Sequence, residues 1–216
     1  MVSVDKKNTR ANSDKRTVLF VGSFLDKTSN GTTGGQMFAC KSLINSKLSE
    51  NIIWVLVDST AEQPEKSLPI RTIHAAKRIA RVCYHLLTKK IDTALIFTAH
   101  GASFLEKGSM CLIASFFNCK TIIAPRSGLI VNDIRSSFRR YFIRLVFNRV
   151  SLVVCQSPHW RNVFESVSPN AKYTVIHNWI ALNPLKKSTQ NKKNNTEVLN
   201  NVESHLPIQL LSLIHI

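Results

Sequence analysis

Residues 153–180, VVCQSPHWRNVFESVSPNAKYTVIHNWI, decide the fold of this chain. The segment predicts a short buried strand that ends at Cys155, a Gln-Ser-Pro turn, and a helix of about ten residues. A second strand follows from Tyr173 to Ile176 and breaks off at His177-Asn178-Trp179. Two short apolar strands joined by a helix are typical of a parallel sheet, because parallel neighbours need a crossover connection.

The same alternation of strand and helix extends back through the chain. Short, continuously apolar segments predict strands that helices cover on both faces. Further strands are predicted at Thr17–Gly22, Ile52–Val57, Asp92–Thr98 and Thr121–Ala124, and the strand that ends at Cys155 begins at Leu152. Helices are predicted from Gly34-Gly35 to Ser46, and at about Arg71–Lys90, Phe104–Phe117, Asp133–Arg149 and Trp160–Glu165. The pattern indicates an α/β fold with a doubly wound parallel sheet of the Rossmann-like type.

Composition limits the class of protein. The chain has 216 residues and 44% hydrophobic residues, enough for one globular α/β domain. The first sixteen residues lack the apolar segment of a secretory signal, and the longest apolar runs are too short to span a bilayer. We therefore expect a cytoplasmic protein, either soluble or peripheral on the inner membrane face.

The cysteines are predicted to be structural residues rather than metal ligands or redox pairs. None of the five forms a CxxC pair or a ligand cluster with histidine, and four lie in apolar segments. We interpret them as small buried thiols in a reducing compartment. No metal site is indicated.

Composition also divides the chain into four parts. We predict a disordered basic lead over residues 1–16 and a Rossmann-like domain over 17–182. Residues 183–205 are polar and low in complexity, as in a linker. Residues 206–216 are interpreted as the start of a second, missing domain plus an artefactual tail, because LSLIHI resembles a sequencing-adapter read in one frame. The alternative is an ordinary apolar tail.

Ligands of doubly wound sheets bind at the carboxyl ends of the strands, so the loops there supply the candidate site residues. Gly34 and Gly35 open a helix whose free N–H groups suit a phosphate or a sugar, although a flexible turn explains them as well. His100 could bond a sugar hydroxyl or be a plain strand-end histidine. Arg126, followed by Ser127, suits phosphate or carboxylate, or a surface salt bridge.

Two helices carry organised basic charge in a chain of net charge +16. In the first helix a basic stripe is predicted opposite an apolar one. The basic stripe comprises His74, Arg78, Arg81, His85 and Lys89, and the apolar one Ala76, Ile79, Val82, Cys83, Leu86 and Leu87. In the second helix Arg140 and Arg144 are predicted opposite Phe138, Phe142, Leu145 and Val146.

These faces have two interpretations. An ordinary solvated outer face explains each helix taken alone. Because both are basic, an anionic membrane surface is a candidate partner. The residues predicted to face it are Arg78, Arg81, Lys89, Arg140 and Arg144.

Taken together, the motifs resemble the N-terminal, acceptor-side domain of retaining glycosyltransferases of the GT-B class called family 4. The resemblance covers about Val18 to Ile180 and rests on the order and spacing of the motifs. These are TVLFVGSF with Gly34-Gly35, FTAHG, APRSG, VVCQS followed by Trp160, and VIHNWI.

The resemblance implies a site and a function. Gly34, Gly35, His100, Arg126 and Ser127 would line the cleft beside the donor diphosphate and the acceptor, and the Asn178 segment would be the hinge to a second domain. The full-length enzyme would move a sugar from a nucleotide-sugar, its co-substrate, to a glycan or lipid-linked acceptor. No further cofactor is implied.

The chain departs from the family in two respects. Many members place a histidine in the fourth-strand loop, where this chain has Arg126-Ser127. The family's paired glutamates belong to a C-terminal domain, which this sequence lacks beyond its predicted first strand. The catalytic residues are therefore unknown, and we expect the 216-residue chain alone to be inactive.

Two other functions are compatible with the sequence. A non-catalytic basic α/β module could bind nucleic acid or another polyanion through the +16 charge. The interleaved aromatic platform of single-strand binders is missing, which disfavours nucleic acid. The chain could also belong to another two-domain cleft enzyme, such as a sugar epimerase, which only the sequence of the missing second domain would distinguish from a transferase.

Overall fold

The protein forms a six-stranded, all-parallel sheet flanked by helices, as seen in a computed structural model that describes residues 15–25, 35–60 and 67–177. The strand order is β2-β1-β3-β4-β5-β6, numbered along the chain. The strands are Arg16–Gly22 (β1), Ile52–Asp58 (β2), Thr93–Thr98 (β3), Lys120–Pro125 (β4), Leu152–Cys155 (β5) and Tyr173–Val175 (β6). This confirms the predicted α/β, Rossmann-like doubly wound fold.

Helices connect consecutive strands. They are Gly35–Ile44 (α1), Leu68–Thr88 (α2), Ala102–Ser115 (α3), Ile130–Asp133 (α4), Ser137–Arg149 (α5) and Pro158–Val167 (α6), and a 3-10 helix covers Lys47–Asn51. Most predicted elements begin and end within about three residues of the observed ones, the scatter that fraying ends usually produce.

The sheet separates two apolar cores, because successive strand residues point to opposite faces. Along β1, Leu19 and Val21 join the core that α2, α3, α5 and α6 cover, whereas Val18 and Phe20 join the core on the other face. There Cys40 of α1 and Leu48 of the 3-10 helix contribute. The chain therefore winds in both directions from β1.

The helix predicted from Asp133 to Arg149 is interrupted. Asp133 ends the short α4, and α5 begins at Ser137. The Asp133 carboxylate accepts hydrogen bonds from Gly101 N–H and from the Arg139 guanidinium, so the chain turns around a buried acid. A continuous helix from Asp133 is therefore wrong, because a tertiary contact overrides the local pattern.

The predicted faces of α2 need correction. Arg78 packs inward and binds both carboxylate oxygens of Glu106 on α3. It therefore does not belong to an exposed basic stripe, whereas Arg81 and Lys89 are exposed as predicted. Four other assignments on this helix also differ: His74 and His85 are half-buried, whereas Ala76 and Leu87 are exposed.

Phe138 and Leu145 of α5 are exposed, although both were predicted to pack inward. The inner face of α5 is formed by Ile143, Val146 and Phe147. Arg140 and Arg144 are exposed, as predicted. The helical spacing places Phe138 next to the buried apolar side chains, but the side of α5 that α3 covers does not extend as far as Phe138.

The remaining predictions concern the cysteines, the two ends of the chain and membrane-spanning helices. Cys40, Cys111, Cys119 and Cys155 are buried free thiols and Cys83 is half-buried, in line with the structural interpretation. Gly34, Asn178, most of the basic lead and residues 183–216 lie outside the described residues. None of the described helices combines the length and apolar character needed to cross a bilayer.

Candidate functional site

The strand order locates a crevice at the carboxyl ends of β1 and β3. These strands are neighbours, but the chain leaves β1 through α1 on one face and β3 through α3 on the other. The loops that follow them therefore diverge and leave a gap, which is where ligands bind in open α/β sheets. We call this gap the switch-point crevice.

One wall of the switch-point crevice is built by the loops after β1 and β2. The Asp58 carboxylate accepts the Phe24 N–H at 2.9 Å and the Thr60 hydroxyl at 2.6 Å. Ser23 Oγ lies 2.9 Å from the Thr60 hydroxyl. These bonds hold the first residues after β1 against the end of β2, so the wall is organised before any ligand arrives.

The other wall joins the loops after β3 and β4. The backbone hydrogen bonds between β3 and β4 continue past the ends of the strands, because Arg126 N–H donates to Thr98 O at 2.7 Å. Beyond it, His100 Nδ1 lies 3.0 Å from Ser127 Oγ. The structure therefore brings together His100 and Ser127, two of the predicted site residues, which are 27 positions apart in the sequence.

The turn that carries His100 is held by a buried acid. Gly101 has φ +63° and caps the start of α3, a backbone conformation that glycine adopts readily. Its N–H donates to Asp133 Oδ2 at 2.5 Å, while Arg139 binds the other oxygen at 2.7 Å. Asp133 was not among the predicted site residues, and no local signal marks its role.

Arg126 reaches from β4 towards the switch point. Its guanidinium carbon lies 5.1 Å from the centre of the Phe97 ring on β3, and its charge acts on the Cys40 thiol of α1. Burial lowers the pKa of Arg126 to about 10, so the side chain keeps its charge at neutral pH. A half-buried guanidinium at this edge can bind a phosphate or carboxylate more strongly than one in free solvent.

A glycine that was not predicted is required for close packing beside the switch-point crevice. A Cβ atom on Gly22, at the end of β1, would lie 2.6 Å from the Cys40 sulfur. A Cβ atom on Gly35 would meet nothing within 4 Å. Gly35 does open α1 as predicted, but Gly22 is the residue that lets α1 approach the sheet beside the switch-point crevice.

A buried lysine is a second residue that the sequence analysis missed. Lys107 of α3 donates to Ser103 Oγ at 3.0 Å, and its ammonium lies 3.9 Å from Glu106 Oε2. Burial lowers its pKa, an effect that Glu106 partly opposes. Its charge also interacts with that of Asp58.

The geometry limits the chemistry of the site. The Asp133 carboxylate is engaged by Gly101 and Arg139, whereas the imidazole of His100 lies beside Ser127. Within residues 15–25, 35–60 and 67–177, no group of three or more histidine, cysteine, aspartate or glutamate side chains could hold a metal ion. The arrangement suits recognition of hydroxyl and anionic groups.

Comparison with known proteins does not assign the chain to a family. The chain matches no family model and no curated protein.

Proposed function

We propose that this chain is the acceptor-side half of a GT-B glycosyltransferase similar to family 4, which transfers a sugar from a nucleotide-sugar to a glycan or lipid-linked acceptor. The observation that carries the proposal is the convergence of His100, Ser127 and Arg126 on the carboxyl edge beside the switch-point crevice. A hydroxyl-binding pair and a half-buried cation at the same edge of the sheet suit a sugar that reacts near a diphosphate.

Each residue has a role in this proposal. The His100–Ser127 pair would orient an acceptor hydroxyl, since both groups can donate or accept a hydrogen bond. Arg126 would stabilise negative charge on the leaving diphosphate. The start of α1 at Gly35 would offer backbone N–H groups, and Gly35 itself carries no side chain there.

The reaction itself needs a second wall. The transferred sugar develops positive charge while a nucleoside diphosphate leaves, and water must be excluded from the reacting carbon. One sheet edge supplies half of such an enclosure. We therefore expect the 216-residue chain to bind ligand without transferring sugar, and a nucleotide-sugar-binding domain to complete the enzyme.

Backbone amide NMR of the 216-residue chain tests the ligand site. Inorganic pyrophosphate and a panel of soluble oligosaccharides would be titrated separately. We expect pyrophosphate to shift the amides of Arg126 and Gly35, and at least one oligosaccharide to shift those of His100, Gly101 and Ser127. Arg126→Gln should abolish the first response, and His100→Ala with Ser127→Ala the second.

A matched control is Ser109→Ala, because Ser109 lies within α3 and bonds only a backbone carbonyl of the preceding turn. It should leave both titrations unchanged. Shifts confined to other surfaces, or responses that survive Arg126→Gln and the double variant, would contradict the proposal. Sugar transfer by the purified chain alone would contradict the expected need for a second domain.

A further inference from the structure

The outer face of α5 is apolar as well as basic. Phe138 is 67% exposed and Tyr141 is 68% exposed, and Leu145 is also exposed on the same side of the helix. These positions are separated by three and four residues, so they form one stripe along the helix. A contiguous exposed apolar stripe of this kind marks an interaction surface, whereas single exposed apolar side chains are common.

Arginine flanks this stripe. The thirteen residues of α5 include Arg139, Arg140, Arg144 and Arg149 and no acidic residue. Arg139 is paired with Asp133, whereas Arg140 and Arg144 are exposed beside the aromatic stripe. We define the α5 outer face as Phe138, Arg140, Tyr141, Arg144 and Leu145.

We propose that the α5 outer face binds an anionic phospholipid bilayer. Phe138 and Tyr141 enter the interface between headgroups and acyl chains, while Arg140 and Arg144 contact lipid phosphates. Helices that lie in the membrane interface bind in the same way: burial of apolar side chains and attraction to anionic lipid both contribute to their affinity. The inference rests on side-chain exposure and charge and does not depend on the proposed function.

The chemistry of the face favours a bilayer over other occupants. A second copy of the chain would bring Arg140 and Arg144 against the same like charges, and each copy carries +16 overall. A nucleic acid would use the arginines but leave the role of Phe138 unexplained. The combination of aromatic and cationic groups is complementary to lipid headgroups above acyl chains.

The position of the face connects it to the switch-point crevice. Crossover helices run back against their strands, so the start of α5 lies towards the carboxyl edge of the sheet. Phe138 is in the first turn of α5, and Leu129, which follows β4 at the same edge, is 53% exposed. A protein docked through these residues presents the crevice side of its sheet near the membrane.

Vesicle co-sedimentation of the full 216-residue chain tests the inference. The vesicles contain either phosphatidylcholine alone or phosphatidylcholine mixed with phosphatidylglycerol. We expect binding only to the mixed vesicles. Arg144→Gln should lower the partition coefficient roughly fivefold. Phe138→Ser should lower it roughly tenfold, and Phe138→Leu should keep most of the binding.

Two controls match these changes elsewhere on the surface. Lys47→Gln removes an exposed positive charge from the 3-10 helix on the opposite face of the sheet. Phe116→Ser removes a 77% exposed aromatic ring at the far end of α3. Neither should change vesicle binding, and all variants should keep the circular dichroism spectrum of the parent chain.

Several results would overturn the inference. Equal binding to both kinds of vesicle would remove the role of the arginines, and unchanged binding by Phe138→Ser would remove that of the aromatic stripe. Competition by random DNA together with insensitivity to Phe138→Ser would assign the face to a general polyanion. A concentration-dependent dimer that Phe138→Ser dissociates would assign it to self-association.

Discussion

At the scale of single residues, two glycines beside the switch-point crevice have different roles. Gly22 allows the Cys40 side chain to pack at the end of β1, whereas Gly35 has open space around its Cα atom. The sequence motif drew attention to Gly34-Gly35, but a motif cannot show which glycine a neighbouring helix approaches. That distinction depends on packing between α1 and the sheet.

Alanine substitution should separate these roles. Gly22→Ala should lower the free energy of unfolding by about 1–3 kcal/mol, because the added methyl group overlaps Cys40 and the Phe24 ring. Gly35→Ala should leave it unchanged or raise it by up to about 1 kcal/mol, since alanine favours helix. Urea unfolding followed by circular dichroism measures both values. Equal losses would refute the assigned difference.

Lys107 is a buried charge whose removal should stabilise the protein. Its neighbour Glu106 keeps two hydrogen bonds from Arg78, so Lys107→Met leaves no orphaned acid. We expect the free energy of unfolding to rise by about 1 kcal/mol at neutral pH. In contrast, Arg78→Met should lower it by roughly 1–3 kcal/mol, because Glu106 loses its strongest partner.

The pH dependence of the Lys107→Met effect has a defined sign. Burial lowers the pKa of Lys107 below the ordinary 10.5, so folding disfavours its charged form. The resulting loss of stability is complete below the folded pKa and disappears as the pH rises towards 10.5. The advantage of Lys107→Met in urea unfolding should therefore shrink at alkaline pH. An advantage that grows would contradict this explanation.

At the scale of elements, the contact between α3 and α5 depends on a glycine. A Cβ atom on Gly108 would lie 2.7 Å from the Phe142 ring and 3.0 Å from a Val146 methyl group. The close approach of these helices also explains why Phe142 and Val146 face inward while Phe138 does not. The helical pattern of α5 shows an apolar arc, but the position of α3 decides which part of that arc is covered.

Gly108→Ala should therefore destabilise the protein despite its helical location. The gain in helix propensity is about 1 kcal/mol and the cost of overpacking is about 1–3 kcal/mol, so we expect a net loss near 1 kcal/mol. Ser109→Ala, the matched control, should change stability by less than about 0.5 kcal/mol. Unfolding of Gly108→Ala with Phe142→Leu should show that the two changes are not additive. Strict additivity would exclude the proposed clash.

At the scale of the whole molecule, the cysteines report on the integrity of both cores. Cys111 and Cys155 belong to the core under α3 and α5, and Cys40 to the core under α1. Burial raises the pKa of Cys40 and of Cys155 to about 12 and also raises that of Cys111. The reactive thiolate is therefore scarce at all three positions.

Modification by Ellman's reagent should reflect this protection. In the native chain, half-buried Cys83 should react first, and the four buried thiols should react at rates that rise with urea as the global unfolding equilibrium shifts. Mass spectrometry of digests assigns each site. Reaction of Cys40 as fast as Cys83 without denaturant would show that α1 opens independently of the rest of the sheet.

The candidate site was predictable in part. His100, Arg126 and Ser127 were expected at one edge because parallel strands align their carboxyl ends. The hydrogen bond between His100 and Ser127 is consistent with that expectation, although a role in sugar binding stays a prediction. Asp133 could not be found in this way, because its partner Gly101 is distant in the sequence. Lys107 could not be found either, because its burial depends on how α3 packs against the sheet.

The sequence by itself determined the alternation of strands and helices, the parallel sheet and the edge that carries the candidate residues. These properties are local, since apolar runs and helical periodicity are properties of short segments. Tertiary structure alone decided the neighbours of each strand, the switch-point crevice between β1 and β3, the inward turn of Arg78 and the exposure of Phe138. Those features depend on contacts between segments far apart in the chain, whose geometry exists only once the sheet has assembled.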